Sequence, residues 1–216
     1  MLRLMIVVLA SVLMAFPVQA SSQDPHGMLE SAINRMTSRI DQERSKLEAD
    51  EQYARQVVSE ELEGLIDFRR ITQLVMGSHF APSTREQKLR FLEVFRNSLI
   101  NTYASGLTLY QGQQVRVLPA EEGDVSQGRA RVRTELRTDS GRIVPVFFSL
   151  YQNAEGNWLV ENVIVNGLNL GRTFRSQFEQ SAEQYGGDLD LVIANWSAEI
   201  DVETAGEPVE TSASLK

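Results

Sequence analysis

The chain has no cysteine. That excludes disulfides, thiol nucleophiles and thiolate metal sites, so packing alone must hold any fold it makes. Histidine is nearly absent too. His26 and His79 are the only two, and neither has a partner at metal-ligand spacing. Both read as surface or loop residues. No nucleophile elbow, P-loop or dinucleotide-binding glycine pattern occurs. Positive charge is in short supply: 21 Lys and Arg against 29 Asp and Glu leave a formal charge of −8. That balance argues against nucleic acid as a partner and against stable adsorption to anionic lipid. Long apolar runs are also missing. Leu4 to Phe16 is the main one, and it falls short of the about 20 residues a membrane span needs.

Flanked by Arg3 and by Val18-Gln19-Ala20, that run reads as a secretory signal peptide over 1–20, cleaved after Ala20. No cysteine follows it for lipid attachment. An exported chain without disulfides suits a bacterial periplasm. Residues 21–200 read as one domain, and 201–216, acidic and free of aromatics, as a disordered tail.

What is present falls into helices, then strands, then helices. Asp24-Pro25 is a cap and first-turn pair, followed by apolar residues at three- and four-residue spacing from Met28 to Ile40. Asp50 and Asp67 cap two further helices, the second ending at Gly77. Thr84 and Gln87 form a capping box for a long helix reaching about Ser105, with Leu89, Leu92, Phe95, Leu99 and Tyr103 inward and Phe91 and Ile100 flanking. Val115 and Val117 mark a first strand. Three alternating segments between Arg129 and Gly171, separated by short polar turns, predict an antiparallel meander. Ala130, Val132, Thr134 and Leu136 share one face of its first strand, and Val144, Val146, Phe148 and Leu150 one face of its second. In its third, Trp158, Val160, Asn162 and Ile164 oppose Leu159, Glu161, Val163 and Val165. Phe174, Phe178 and Tyr185 belong to a following helix, and Asp188 caps a last one.

The expected fold is therefore α+β: a twisted four-stranded antiparallel sheet covered by N- and C-terminal helices. Periodicity alone leaves two options for the apolar sheet face, a filled core or a lined cavity. No exposed apolar stripe remains, which predicts a monomer.

Several stretches resemble one family. These are Asp67-Phe68 with Val75 and Gly77, the Thr84 cap leading to Phe91 and Phe95, and Tyr103-Ala104. The block Trp158-Leu159-Val160 through Gly167 and Leu170 matches as well, as do Arg175-Ser176-Gln177-Phe178 and Gly186-Gly187. Together they resemble the MlaC, or toluene-tolerance, family of periplasmic phospholipid-binding proteins. Asn162, Asn166, Phe147 and Trp196 depart from its usual pattern.

The resemblance implies an apolar cavity enclosed between sheet and helices, with bound phospholipid as cargo and no cofactor or metal. It implies a shuttle for glycerophospholipids between an outer-membrane lipoprotein–porin complex and an inner-membrane ABC transporter with an MCE-domain subunit, maintaining outer-membrane lipid asymmetry. Facing and resemblance together assign the lipid-binding walls to Phe68, Val75, Phe91, Phe95, Leu99, Tyr103, Val132, Val146, Phe148, Leu150, Trp158 and Val160. Arg172 and Arg175 follow the last strand as head-group candidates, with a plain solvent-facing pair as the alternative. A cavity enzyme such as an isomerase or dehydratase would need a buried acid–base group, and among these wall positions only Tyr103 ionises. A ligand-free adaptor with a solid core is the remaining alternative.

Overall fold

A computed structural model describes residues 24–107, 110 and 112–198. The expected signal peptide and acidic tail lie outside the described residues. Helices α1 (Pro25–Ala49), α2 (Glu51–Glu63), α3 (Phe68–Met76) and α4 (Arg85–Leu107) precede the sheet, with a short 3-10 turn at Gly77–His79. Strands β1 (Gln114–Val117), β2 (Val125–Ser126), β3 (Arg129–Arg137), β4 (Ile143–Gln152), β5 (Trp158–Val165) and β6 (Leu168–Asn169) follow. Helices α5 (Leu170–Gln184) and α6 (Leu189–Ala194) close the described chain. No described helix is long and apolar enough to cross a membrane.

The helix starts follow from their caps. Asp24, Asp50, Asp67 and Asp188 each accept a backbone N–H two or three residues on. The Thr84 hydroxyl accepts from Gln87 N–H while the Gln87 side chain accepts from Thr84 N–H, both at 3.1 Å. Each such cap is worth about 1 kcal/mol. Gly77 ends α3 with φ +53°, a conformation glycine adopts without cost.

The sheet is antiparallel throughout, ordered β1-β3-β4-β5-β6, with β2 also paired to β3. It therefore has six strands where the sequence reading expected four. The additions are two-residue strands, too short to display a period. Each is tied to its neighbour by a two-residue turn with positive φ at both positions, Gln127-Gly128 and Asn166-Gly167.

Two expectations about single residues are corrected. His26 is not a surface or loop residue but is buried in the first turn of α1, its ring nitrogens 3.8 Å from Asp24 and Asp124. Leu89 is half exposed, so the inner stripe of α4 starts at Phe91 and continues through Phe95, Leu99 and Ile100.

The core has three parts. α1 covers β3 to β5 through Leu29 against Ala130, Val132, Leu150, Trp158 and Val160. α1, α2 and α4 pack through Ile40, Leu47, Val57, Val58 and Ile100. α3 to α6 meet over an aromatic group in which Phe91 stands edge-on to Phe178 and to Trp196, with centroids 4.8 and 5.2 Å away. Edge-to-face pairs of this kind add about 1 kcal/mol beyond the area they bury.

Candidate functional site

The site is built around an irregularity in β5. Leu150 pairs with Val160, but the next residue of β4, Ser149, pairs with Asn162. Glu161 is the extra residue of a β-bulge, and it inverts the alternation. Before it, Trp158 and Val160 face the core; after it, Val163 and Val165 do, opposite Phe148 and Val146. The expected grouping of Asn162 and Ile164 with Trp158 and Val160 is overturned. A bulge adds one residue without changing composition, so strict alternation read through WLVENVIV gives the wrong phase.

The outer edge of β5 is divided at the same point. Val160 N–H donates to Leu65 O at 2.9 Å, and Ile66 bridges Val160 in parallel. Further along, Ile164 and Val165 pair with β6. Between these pairings Asn162 bonds α5 through its side chain, its Oδ1 accepting from Gly171 N–H at 3.0 Å. A Cβ at Gly171 would lie 2.7 Å from that oxygen, so only glycine permits this approach of α5 to β5.

An apolar cleft of about 50 Å³ lies behind this seam. Phe95, Leu99 and Tyr103 of α4, Val160 and Val163 of β5, Leu170 and Phe174 of α5 and Ile66 and Ile71 line it. Tyr103 is 42 % exposed, and desolvation raises its phenol above its ordinary pKa. In front lies an open depression of about 680 Å³. Ile71, Glu161, Asn162 and Gly171 border both.

The rim is ionic and held by α3. Glu161 accepts from Arg70 Nε at 2.6 Å and from Arg129. The Arg70 guanidinium lies 4.2 Å over the Tyr151 ring. The Tyr151 hydroxyl donates to Asp67, the residue that caps α3. Burial first, and the bond to Asp67 second, push the Tyr151 phenol up to about 12. Arg172 and Arg175 border the same depression. Arg175 Nε donates to Glu179 at 2.9 Å, and its guanidinium lies where a Cβ on Gly77 would stand 2.9 Å away.

The twelve expected wall residues divide between the clusters. Phe95, Leu99, Tyr103 and Val160 meet in the cleft, and Val75 borders the depression. Phe68 and Phe91 lie in the helical core. Val132, Leu150, Trp158 and Phe148 pack beneath α1, and Val146 is buried on β4 opposite Val165. Ile71, Leu170 and Phe174 were not among the expected walls. Helical spacing marks Phe174 as inward-facing, but no local pattern brings it against Leu99 and Val160.

Among the described residues no three His, Asp or Glu side chains cluster as metal ligands. Glu161 is the one carboxylate bordering the cleft, and two arginines hold it at the rim.

Comparison with known proteins places this arrangement. The chain is 30% identical over 190 residues to toluene tolerance protein ttg2D of Pseudomonas putida, covering 87% of each chain. It is 25% identical over 167 residues to the intermembrane phospholipid transport system binding protein MlaC of Haemophilus influenzae, covering 76% of this chain and 78% of that one. The fold is similar to that of the phospholipid-binding protein from Ralstonia solanacearum, solved in complex with a phospholipid. The TM-score is 0.71 at 23% identity, over 79% of this chain and 93% of that one. The MlaC protein family model matches residues 30–198, and the chain belongs to that family.

Proposed function

We propose that this protein is a periplasmic phospholipid carrier. In this reading it shuttles glycerophospholipids between an outer-membrane lipoprotein–porin complex and an inner-membrane ABC transporter with an MCE-domain subunit, and so maintains outer-membrane lipid asymmetry. One observation carries the reading: an apolar cleft between α4, α5 and a bulged sheet edge, opening directly onto a polar, arginine-lined depression. That is the division a phospholipid presents, tails inside and phosphate outside. The relatives named for phospholipid transport and for phospholipid binding support it.

Shielding explains why a carrier is needed. A diacyl lipid exposes about 30 tail methylenes, each costing about 0.8 kcal/mol in water. The wall must match the bilayer closely enough to take up lipid and loosely enough to release it. Aliphatic and phenyl groups with few fixed donors serve both ends. Small-molecule cavities typically occupy about 300–1,000 Å³, so a cleft of about 50 Å³ must widen to take a tail. The seam between β5 and α5 is where it can widen, because a side-chain bond rather than a strand ladder spans it.

Ile71 tests this reading with little risk to the core. It is half-buried and borders both spaces. Ile71→Glu can turn its carboxylate toward the depression while barring the tail path. Protein purified with this substitution should retain a cooperative thermal transition and lose its extractable phospholipid. Leu89→Glu, on the exposed side of α4, should keep it. Phospholipid retained by Ile71→Glu at the wild-type level would contradict the assigned path.

A further inference from the structure

The depression in front of the cleft runs against the charge of the chain. The protein carries a formal −8, yet this depression is bordered by four guanidiniums, Arg70, Arg129, Arg172 and Arg175, and two carboxylates, Glu161 and Glu179. The pairings divide the excess between two places. Arg70 and Arg129 both pair with Glu161, and Arg175 is paired through Nε with Glu179. Arg172 makes no ion pair among the described residues. The backbone of α5 supplies little more, since the Gly171 and Arg172 amides are already capped by Asn162 and Asn169. Counted by pairs, one surplus positive charge is spread over Arg70, Arg129 and Glu161, and the other lies with the α5 arginines, Arg172 unpaired and Arg175 bonded through Nε. Arg172 and Arg175 are one helical turn apart on α5, beside Ile71 and Gly171, where the cleft opens.

Arg175 is also held in place. Gly77, with φ +53°, leaves the room its guanidinium occupies, and a Cβ there would lie 2.9 Å from Nε and 3.1 Å from Nη2. Glu179 accepts from Nε and so fixes that edge of the guanidinium. A fixed planar fork beside a second guanidinium suits a phosphate oxygen pair.

We propose that Arg172 and Arg175 form a phosphate subsite that makes the carrier select phospholipids whose head group is net anionic over zwitterionic ones. The inference rests on the carrier reading and deepens it. A phosphodiester alone brings one negative charge to a depression with an excess of two positive charges. A head group that adds an ammonium returns the ligand to neutrality and places a cation among arginines. A glycerol head group adds no such cation.

The test is competitive capture. Lipid-free, full-length mature protein is incubated with vesicles of equimolar phosphatidylglycerol and phosphatidylethanolamine with matched acyl chains, re-isolated, extracted and analysed by mass spectrometry. We expect the captured phosphatidylglycerol to exceed phosphatidylethanolamine several-fold at low ionic strength, with the ratio falling as salt is raised. Arg172→Gln/Arg175→Gln should bring the ratio close to one, and Arg172→Lys/Arg175→Lys should retain part of the preference. A melting curve for each variant checks that it folds.

A wild-type ratio of one overturns this inference while leaving the carrier intact; no captured lipid at all would instead remove the carrier reading. In a separate arm inorganic phosphate is titrated into the lipid-free protein. Arginine-dependent phosphate binding without head-group preference would reassign the subsite to the free anion and overturn the inference as well.

Discussion

Tyr151 ties the rim together. Its hydroxyl donates to Asp67 and its ring supports Arg70, so one side chain links the α3 cap, the sheet and the pair that holds Glu161. The phenol is held at about 12, above its ordinary 10.0. A group whose folded pKa is raised stabilises the fold fully below its unfolded pKa and loses that contribution as pH rises through the folded value. Stability should thus carry a component that is constant up to about pH 10 and declines from there to about pH 12. Urea midpoints across this range should fall more steeply for the wild type than for Tyr151→Phe. Equal slopes would show that the Asp67 bond does not hold the proton. At this scale the sequence was readable wherever the chemistry is local: Asp24, Asp50, Asp67, Thr84 and Asp188 cap the helices they were expected to cap. It was not readable for His26 or Glu161, whose surroundings come from distant segments. Asn166-Gly167 stood in the sequence as a hairpin signal, and β6 could have been read from it.

Among the elements, β5 decides the site. Its bulge turns Val163 and Val165 inward, sends Glu161 and Asn162 to the rim, and leaves the gap that Asn162 and Gly171 span. Deleting Glu161 would remove the bulge, leave Val163 and Val165 on the core face in regular alternation, and take from Arg70 and Arg129 the carboxylate they share. Losing that shared carboxylate at the rim should cost about 1–3 kcal/mol, read as a lowered denaturation midpoint. Stability within about 0.5 kcal/mol of wild type would mean the bulge is incidental. The third strand also marks how far periodicity reaches. Ala130, Val132 and Thr134 on β3, and Val144, Val146 and Leu150 on β4, fall on the expected buried face. In WLVENVIV apolar residues occupy both phases, so the point of inversion leaves no mark.

The whole molecule combines a rigid body with one loosely closed edge. The aromatic group of α3 to α6 and the layer beneath α1 are solid, each with phenyl or indole rings fully or nearly buried. Half of the apolar residues expected to line a cavity instead build these solid parts. Pattern reports that a side chain faces inward, but whether it meets another side chain or a space depends on how four separated segments come together. The resemblance to the MlaC family in the Trp158-to-Gly167 block supplied the lipid-carrying expectation that periodicity left open, and the family match extends it over 30–198. A carrier of this kind buries acyl chains and performs no chemistry on them. Native mass spectrometry of the protein purified from a bacterial periplasm without detergent, paired with organic extraction, tests it most directly. One intact phospholipid should be bound per chain and released unmodified. A spectrum with no adduct, or with a polar metabolite in place of phospholipid, would contradict it.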